Sequence, residues 1–228
     1  THAIYENLNG FSRFLTVKVL KHTDQILCLS KKSQTQLIQW GIKAQKISTY
    51  KYWVNLKNFS PGNKIQKFTA LFVGRLIEKK GIKVILQCAV KIPSVYFIIV
   101  GNGPLENYVT KFSKRHKNIQ FLGAIPNNKL SEIYRRASIF CIASQYPEGF
   151  GRVTMEAVAS GLPVIGSNLG SIPEALDNTV SILFKPTSSN FVKIIKSLST
   201  HSKNYQVCLL YTSPSPRDRT RSRMPSSA

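Results

Sequence analysis

The sequence predicts an α/β protein built on a doubly wound parallel sheet, with an incomplete second α/β unit ahead of it. Three observations carry that expectation. Short β-rich runs alternate with amphipathic helical patterns from about residue 70 onward, which is the signature of repeated strand–helix–strand units. The strand runs, such as "ALFVG" (70–74) and "VYFIIVG" (95–101), are apolar throughout rather than alternating, as in a sheet covered on both faces. Three strand-to-helix corners carry glycine together with charge or proline, and in such a sheet these corners line one crevice.

Taken in chain order, "DQILCLS" (24–30) reads as a strand and "KKSQTQLIQWG" (31–41) as a helix closed by Gly41. An aromatic stretch then runs into the Pro61-Gly62-Asn63 turn, and a domain boundary is expected near 55–66. Beyond it the expected strands are 70–74, 95–101, 119–123, 138–144, 163–167 and 181–185. The expected helices are 81–91, about 104–115, 128–136, 152–160, a short one near 173–177, and 189–198.

The bulk properties narrow the class. A length of 228 residues with 43% hydrophobic content suffices for one substantial domain and part of another. Lys+Arg number 32 against 10 Asp+Glu, a net charge of +22. That excess suits an anionic partner such as nucleotide phosphates, an acidic membrane surface or nucleic acid, and it equally suits a general lysine-rich compositional bias. No apolar run approaches the length of a membrane span and the start lacks a signal-peptide pattern. Cys28, Cys88, Cys141 and Cys208 are scattered without a paired spacing, so zinc or disulfide frameworks are not indicated and a reducing cytoplasm fits.

Both ends look unnatural. Thr1 in place of an initiator methionine leads us to expect that the chain begins inside a longer protein. From Cys208 the text turns to "CLLYTSPSPRDRTRSRMPSSA", polar and aperiodic, and it resembles a translated sequencing-library adapter, so residues 208–228 are set apart as non-native. The expected organisation is therefore 1–60 as the end of an N-terminal acceptor domain, 61–207 as a C-terminal nucleotide-sugar domain cut short, and 208–228 as the adapter-like tail.

The corners carry the chemistry. In "VGRLIEKKG" (73–81) a strand ends at Gly74-Arg75, and Lys79-Lys80 precede the next helix; a guanidinium fork and a mobile ammonium can neutralise a diphosphate, although the same pattern also describes a solvated basic loop. In "VGNGPLE" (100–106), Gly101 and Gly103 allow close backbone approach and Pro104 suits a first helical turn, although a tight turn alone would look the same. In "EGFGRVTMEAVASGLPVI" (148–165), Gly149 and Gly151 permit a tight bend, and the helix from Arg152 offers amides to a phosphate or sugar. Glu156 among apolar neighbours is costly unless it holds something, and Glu148 stands across the bend. Carboxylates accept hydrogen bonds from vicinal hydroxyls, so the two acids suit two sugar rings. A purely structural reading makes Glu156 an acid complementing the helix dipole and Glu148 a surface residue.

"GRLIEKKG", "VGNGPLE", "LGAIPNNKLSEIYRRASIFCIAS" and "PEGFGRVTMEAVASGLPVIGSNLGSIPEAL", in that order, resemble the C-terminal donor-binding domain of a retaining GT-B glycosyltransferase of the family 4 type, glycosyl transferases group 1. The resemblance spans residues 22 to about 200 and includes the family's E-x7-E from Glu148 to Glu156; residues 22–42 resemble the last strand–helix unit of the N-terminal domain. It implies two Rossmann-like domains, the first truncated here. It also implies that Arg75 and Lys80 grip the donor diphosphate, Glu156 holds the ribose hydroxyls and Glu148 holds the transferred hexose. Gly74, Gly101 and Gly103 line the site, amides around Phe150, Gly151, Val153 and Thr154 complete the sugar and phosphate contacts, and the loop at Ile125 meets the base. His2 matches the family's active-site histidine of the N-terminal domain.

The implied reaction transfers a hexose from a UDP- or GDP-sugar to a glycan or lipid-linked acceptor, in the setting of cell-envelope polysaccharide biosynthesis. The only aspartates are Asp24, Asp177 and Asp218, so there is no D-x-D motif, no metal or cofactor is expected, and Arg75, Lys80 and the helix amino end must stabilise the leaving diphosphate. A sugar-nucleotide epimerase or phosphorylase would share the architecture, the first needing acids elsewhere and the second a pyridoxal-phosphate lysine. A nucleic-acid or membrane-surface binding module is the non-enzymatic alternative; no aromatic RNA-binding pair or zinc spacing supports nucleic acid as a partner. The chain as given is expected to show little or no turnover, and an enzyme of this kind would work in the cytoplasm, touching an anionic bilayer peripherally.

Overall fold

The computed structural model describes residues 8, 10–50, 54, 58–62, 67–149, 151–176 and 180–200. Six parallel strands form the main sheet: β3 (Thr69–Val73), β4 (Tyr96–Val100), β5 (Ile119–Phe121), β6 (Ile139–Ile142), β7 (Val164–Ser167) and β8 (Ser181–Phe184). Their order is β5-β4-β3-β6-β7-β8, so the chain winds outward from the centre first one way and then the other. The helices between them are α3 (Ile82–Lys91), α4 (Glu106–Arg115), α5 (Asn127–Arg136), α6 (Arg152–Ala159) and α7 (Ile172–Ala175), and α8 (Ser188–Thr200) follows.

The unbroken apolar strands divide their side chains between two cores. Ala70, Phe72, Phe97, Ile99, Ile139 and Cys141 face one side, where they meet α3, α4 and α8 through residues such as Leu86, Val109 and Phe191. Leu71, Val73, Ile98, Val100, Phe140 and Ile142 face the other, where α5, α6 and α7 supply Leu130, Tyr134, Ala157 and Ile172. Alternation along each strand sends neighbours to opposite faces, so only a strand apolar at every position can serve both layers. All five residues of β3 are buried.

Ahead of this sheet, α1 (Gly10–Lys21), β1 (Ile26–Cys28), α2 (Lys31–Gln39) and β2 (Ile47–Thr49) make a small second unit. β1 and β2 pair in parallel with Ile26 opposite Ile47, enclosing Cys28, Leu37, Ile42 and Ile47. β2 lies in the stretch that reads from sequence only as the approach to an aromatic segment; three residues are too few to show a strand period. α1 buries no residue and turns Phe11, Phe14 and Val19 outward. Among the described residues no helix is long and apolar enough to cross a membrane. Most of the expected boundary region and all of residues 208–228 lie outside the described residues.

Cys28, Cys88 and Cys141 are all buried thiols. Burial pushes Cys88 up to about 12 and Cys141 well above its ordinary value. A thiol so placed stays protonated and unreactive. Iodoacetamide at pH 8 should therefore leave Cys88 and Cys141 unmodified, and denaturant should expose both to complete labelling, as read by peptide mass spectrometry. Labelling of either within minutes in native buffer would contradict the packing of α3 on the sheet.

Candidate functional site

The winding reverses between β3 and β6, the two adjacent central strands. The chain leaving β3 goes to the face carrying α3, and the chain leaving β6 goes to the face carrying α6. A crevice opens between diverging loops of this kind, and ligands of such sheets bind there. Arg75 and Lys80 are on the first loop, and Glu148 and Gly151 on the second.

Backbone contacts hold these loops together. Leu76 N–H donates to Asn102 O (2.7 Å), Gly101 N–H to Gly123 O (2.8 Å) and Gln145 N–H to Lys79 O (2.8 Å), which links the corners after β3, β4, β5 and β6. Gly101, at φ 138°, has room only for hydrogen, since a Cβ there would lie 1.9 Å from Gly74 O. The loop after β7 joins them as Ser171 N–H donates to Glu148 O (2.7 Å). Gly170 sits so close that a Cβ would come within 2.4 Å of the Glu148 backbone nitrogen.

Glu148 is 7% exposed and not a surface residue. One carboxylate oxygen accepts from the Ser144 hydroxyl, and the other pairs with Lys80 Nζ at 2.6 Å across the crevice. Lys80 and Lys79 also lie against the ring of Tyr146, at 5.7 and 5.9 Å from its centroid. Arg75 is exposed at the lip, and its guanidinium has no partner among the described residues. α6 follows Gly151, φ 56°, and no side chain caps its first turn. Thr154 is buried there, and Val153 is half-buried against the α5 side of the core.

Glu156 is 4% exposed, on the second turn of α6. It is not a lone acid. The Tyr134 hydroxyl donates to Oε2 at 3.1 Å and the Asn127 amide donates to Oε1 at 3.2 Å. Burial foremost, and then the Glu156 carboxylate, holds the Tyr134 hydroxyl well above its ordinary pKa, so it remains a donor. Sequence reasoning missed Asn127, Tyr134 and Ser144. The available signal was Asn127 and Tyr134 seven positions apart, two helical turns, on one side of α5.

The remaining expected residues fall as follows. Gly74 and Gly103 lie in the joined corners, with Gly103 packed on the Leu76 backbone. Ile125 lines a groove of about 600 Å³ with Tyr96, Ile98, Leu122 and Ile133, and its near neighbour Asn127 is the one that reaches Glu156. His2 and Phe150 lie outside the described residues.

Solved structures that superpose on this chain are GT-B glycosyltransferases. HepE of Anabaena in complex with UDP-glucose aligns with a TM-score of 0.80 over 96% of this chain and 66% of its own, at 20% identity. Sucrose-phosphate synthase of Thermosynechococcus elongatus aligns with a TM-score of 0.79 over 97% of this chain and 59% of its own, at 21% identity. The GT-B class is thus a matter of fold. Sequence gives the family: this chain belongs to the glycosyl transferases group 1, whose family model matches residues 55–209. An uncharacterized glycosyltransferase of Methanocaldococcus jannaschii is 29% identical over 79% of this chain and 48% of its own length. The phosphatidylinositol N-acetylglucosaminyltransferase GPI3 subunit of Saccharomyces cerevisiae is 26% identical over 92% of this chain and 53% of its own. The chain spans about half the length of the curated relatives it matches.

Lys80 and Glu148 can be tested as a pair. Removing the lysine leaves a buried carboxylate with Ser144, whereas removing both charges leaves nothing uncompensated. Lys80→Met should destabilise by about 1–2 kcal/mol, discounted for the partial exposure of the lysine, and adding Glu148→Gln should recover about half. Denaturant unfolding of the four-membered cycle measures this, and zero coupling would show the pair absent in solution.

Proposed function

We propose that this chain is the donor-binding part of a retaining hexosyltransferase of the family 4 type. It takes a hexose from a UDP- or GDP-sugar and delivers it to a glycan or lipid-linked acceptor. Residues 1–60 belong to the acceptor domain, 61–207 to the donor domain, and 208–228 are adapter-like and foreign to both. The observation that carries the reading is the pairing of Lys80 with buried Glu148 across the switch point, beside an uncapped helix amino end. A pocket that sets a cation against a buried acid has little use for an anion alone, but it suits a ligand that is phosphate at one end and polyol at the other.

The roles follow from charge. As the anomeric bond breaks, negative charge grows on the leaving diphosphate, and groups already aimed at it stabilise that state most. Arg75 reaches from the lip and Lys80 from within the crevice, while the amides of Gly151 and Val153 meet the phosphate or sugar; the Thr154 N–H is already given to Gly151 O at 3.0 Å, so Thr154 shapes this turn rather than donating its amide. Glu148, its carboxylate oriented by Ser144 and Lys80, accepts from the hexose hydroxyls, and Glu156 accepts from the ribose. Gly74, Gly101 and Gly103 let the backbone close on the ligand and Ile125 meets the base, while Phe150 and His2 keep the roles the family resemblance implies, an amide contact to the donor and the active-site histidine of the N-terminal domain. The residues named supply positive charge for the departing diphosphate, so the proposed reaction needs no metal or cofactor.

The Anabaena relative by fold holds UDP-glucose, and the yeast relative is by name a phosphatidylinositol N-acetylglucosaminyltransferase subunit. These favour a UDP-sugar donor and a lipid-linked acceptor, with cytoplasmic work at the face of an anionic membrane. UDP or GDP should raise the melting temperature of the full-length protein, and Glu156→Ala should abolish that shift. Arg75→Ala or Lys80→Ala should slow sugar transfer roughly a hundredfold, ~3 kcal/mol of transition-state stabilisation. Failure of either nucleotide to protect the wild type, with RNA bound on a steep salt dependence instead, would replace this reading with a nucleic-acid module.

A further inference from the structure

The carboxylate of Glu156 has four lone-pair directions, two on each oxygen. Tyr134 occupies one on Oε2 and Asn127 occupies one on Oε1. What remains is one acceptor direction on each oxygen, which is the arrangement that accepts both hydrogens of a vicinal diol. The Tyr134 hydroxyl also lies 3.2 Å from Val153 O, but it has a single proton, and the charged acceptor draws it more strongly. The ring of Tyr134 cannot turn away, since it is fully buried with Phe59 and Phe140 packed on it at centroid distances of 5.8 Å. Asn127 must present its amide rather than its carbonyl, because an ionised carboxylate only accepts.

We infer that Tyr134 and Asn127 are positioning residues that clamp the Glu156 carboxylate and leave one free acceptor per oxygen for the 2′- and 3′-hydroxyls of the donor ribose. The inference rests on the ribose role proposed for Glu156. Its consequence is specificity. A ribonucleotide fills both remaining directions, whereas a 2′-deoxyribonucleotide leaves one buried acceptor empty, and a site built to bond a hydroxyl rejects the analogue lacking it. Without the clamp the carboxylate can rotate and spread its acceptors among other donors, so the penalty for the missing hydroxyl shrinks.

The test compares the affinity of the full-length protein for UDP and 2′-deoxy-UDP, and for GDP and 2′-deoxy-GDP, by calorimetry. Wild type should prefer the ribonucleotide about tenfold or more, in line with the loss of one good hydrogen bond. Tyr134→Phe keeps the packed ring, and Asn127→Ala changes only an exposed residue, so both should fold. Each should cut the ribo/deoxy ratio at least threefold, and the pair of changes should bring it close to one. A purely structural role would lower the melting temperature or weaken both nucleotides alike with the ratio intact, and that result in both variants overturns the clamp while leaving the ribose role of Glu156 standing. A wild type that binds nucleotides without preferring the ribose form overturns the clamp and the ribose role together. Absence of any nucleotide binding overturns the glycosyltransferase reading beneath both.

Discussion

The site depends on the reversal of winding between β3 and β6. Because the chain leaves these two neighbours toward opposite faces, their loops part and no helix can fill the space between them. Something must keep the gap from being a mere defect in packing. Two kinds of contact do so: hydrogen-only approaches, such as Gly81 against Ala143 O, and the bridges Gln145 N–H to Lys79 O and Lys80 to Glu148. The backbone contacts fix the width of the crevice, and the ion pair fixes which atoms face into it. Burying Glu148 without Lys80 and Ser144 would cost several kcal/mol, so the acid and the basic corner specify each other.

Much of this was legible in the sequence, and the reason is local. A strand buried on both faces is apolar almost throughout and its helix is amphipathic, so β3, β4 and β6 and the intervening helices announce themselves within windows of a few residues. Glycines at 101, 103 and 151 were legible because close approach or positive φ leaves no other choice. What was not legible was long-range. The donors to Glu156 come from 22 and 29 residues away, on a helix whose own pattern explains it fully as a cover for the sheet. Tyr134 reads as core and Asn127 as the polar start of a helix, and only the crossing of α5 and α6 gives them a shared target. The short β2 escaped for a different reason: its stability comes from pairing with β1 rather than from its own three residues.

Scarcity makes the acids informative. With ten acidic side chains against 32 basic ones, an acid is rarely needed merely to balance charge locally, and several described acids have an assigned contact. Glu78 takes the exposed Lys83, Glu148 takes Lys80, and Glu156 takes Tyr134 and Asn127. Glu174 spans the two units: its carboxylate accepts from the backbone N–H of Lys31 and Lys32 at 2.7 and 2.9 Å, while Ser30 caps Ser33. The first turn of α2 thus has its orphan donors satisfied partly by a residue of the other sheet, whose α7 begins just beyond Gly170 and the Glu148 loop. The helix that follows the loop over Glu148 therefore also holds the first turn of α2.

Rigidity in the crevice is unevenly distributed, and the distribution has chemical sense. Glu156 sits within a helix, its side chain held by a buried phenol and an amide, so the entropy of orienting a three-torsion side chain is lost at folding rather than at binding. Glu148 sits instead in the loop after β6, followed at once by Gly149, and is held by the Lys80 ammonium and the Ser144 hydroxyl rather than by groups of a helix. A ligand bearing both hydroxyls and phosphates would meet a fixed acceptor at one end and an exchangeable ion pair at the other.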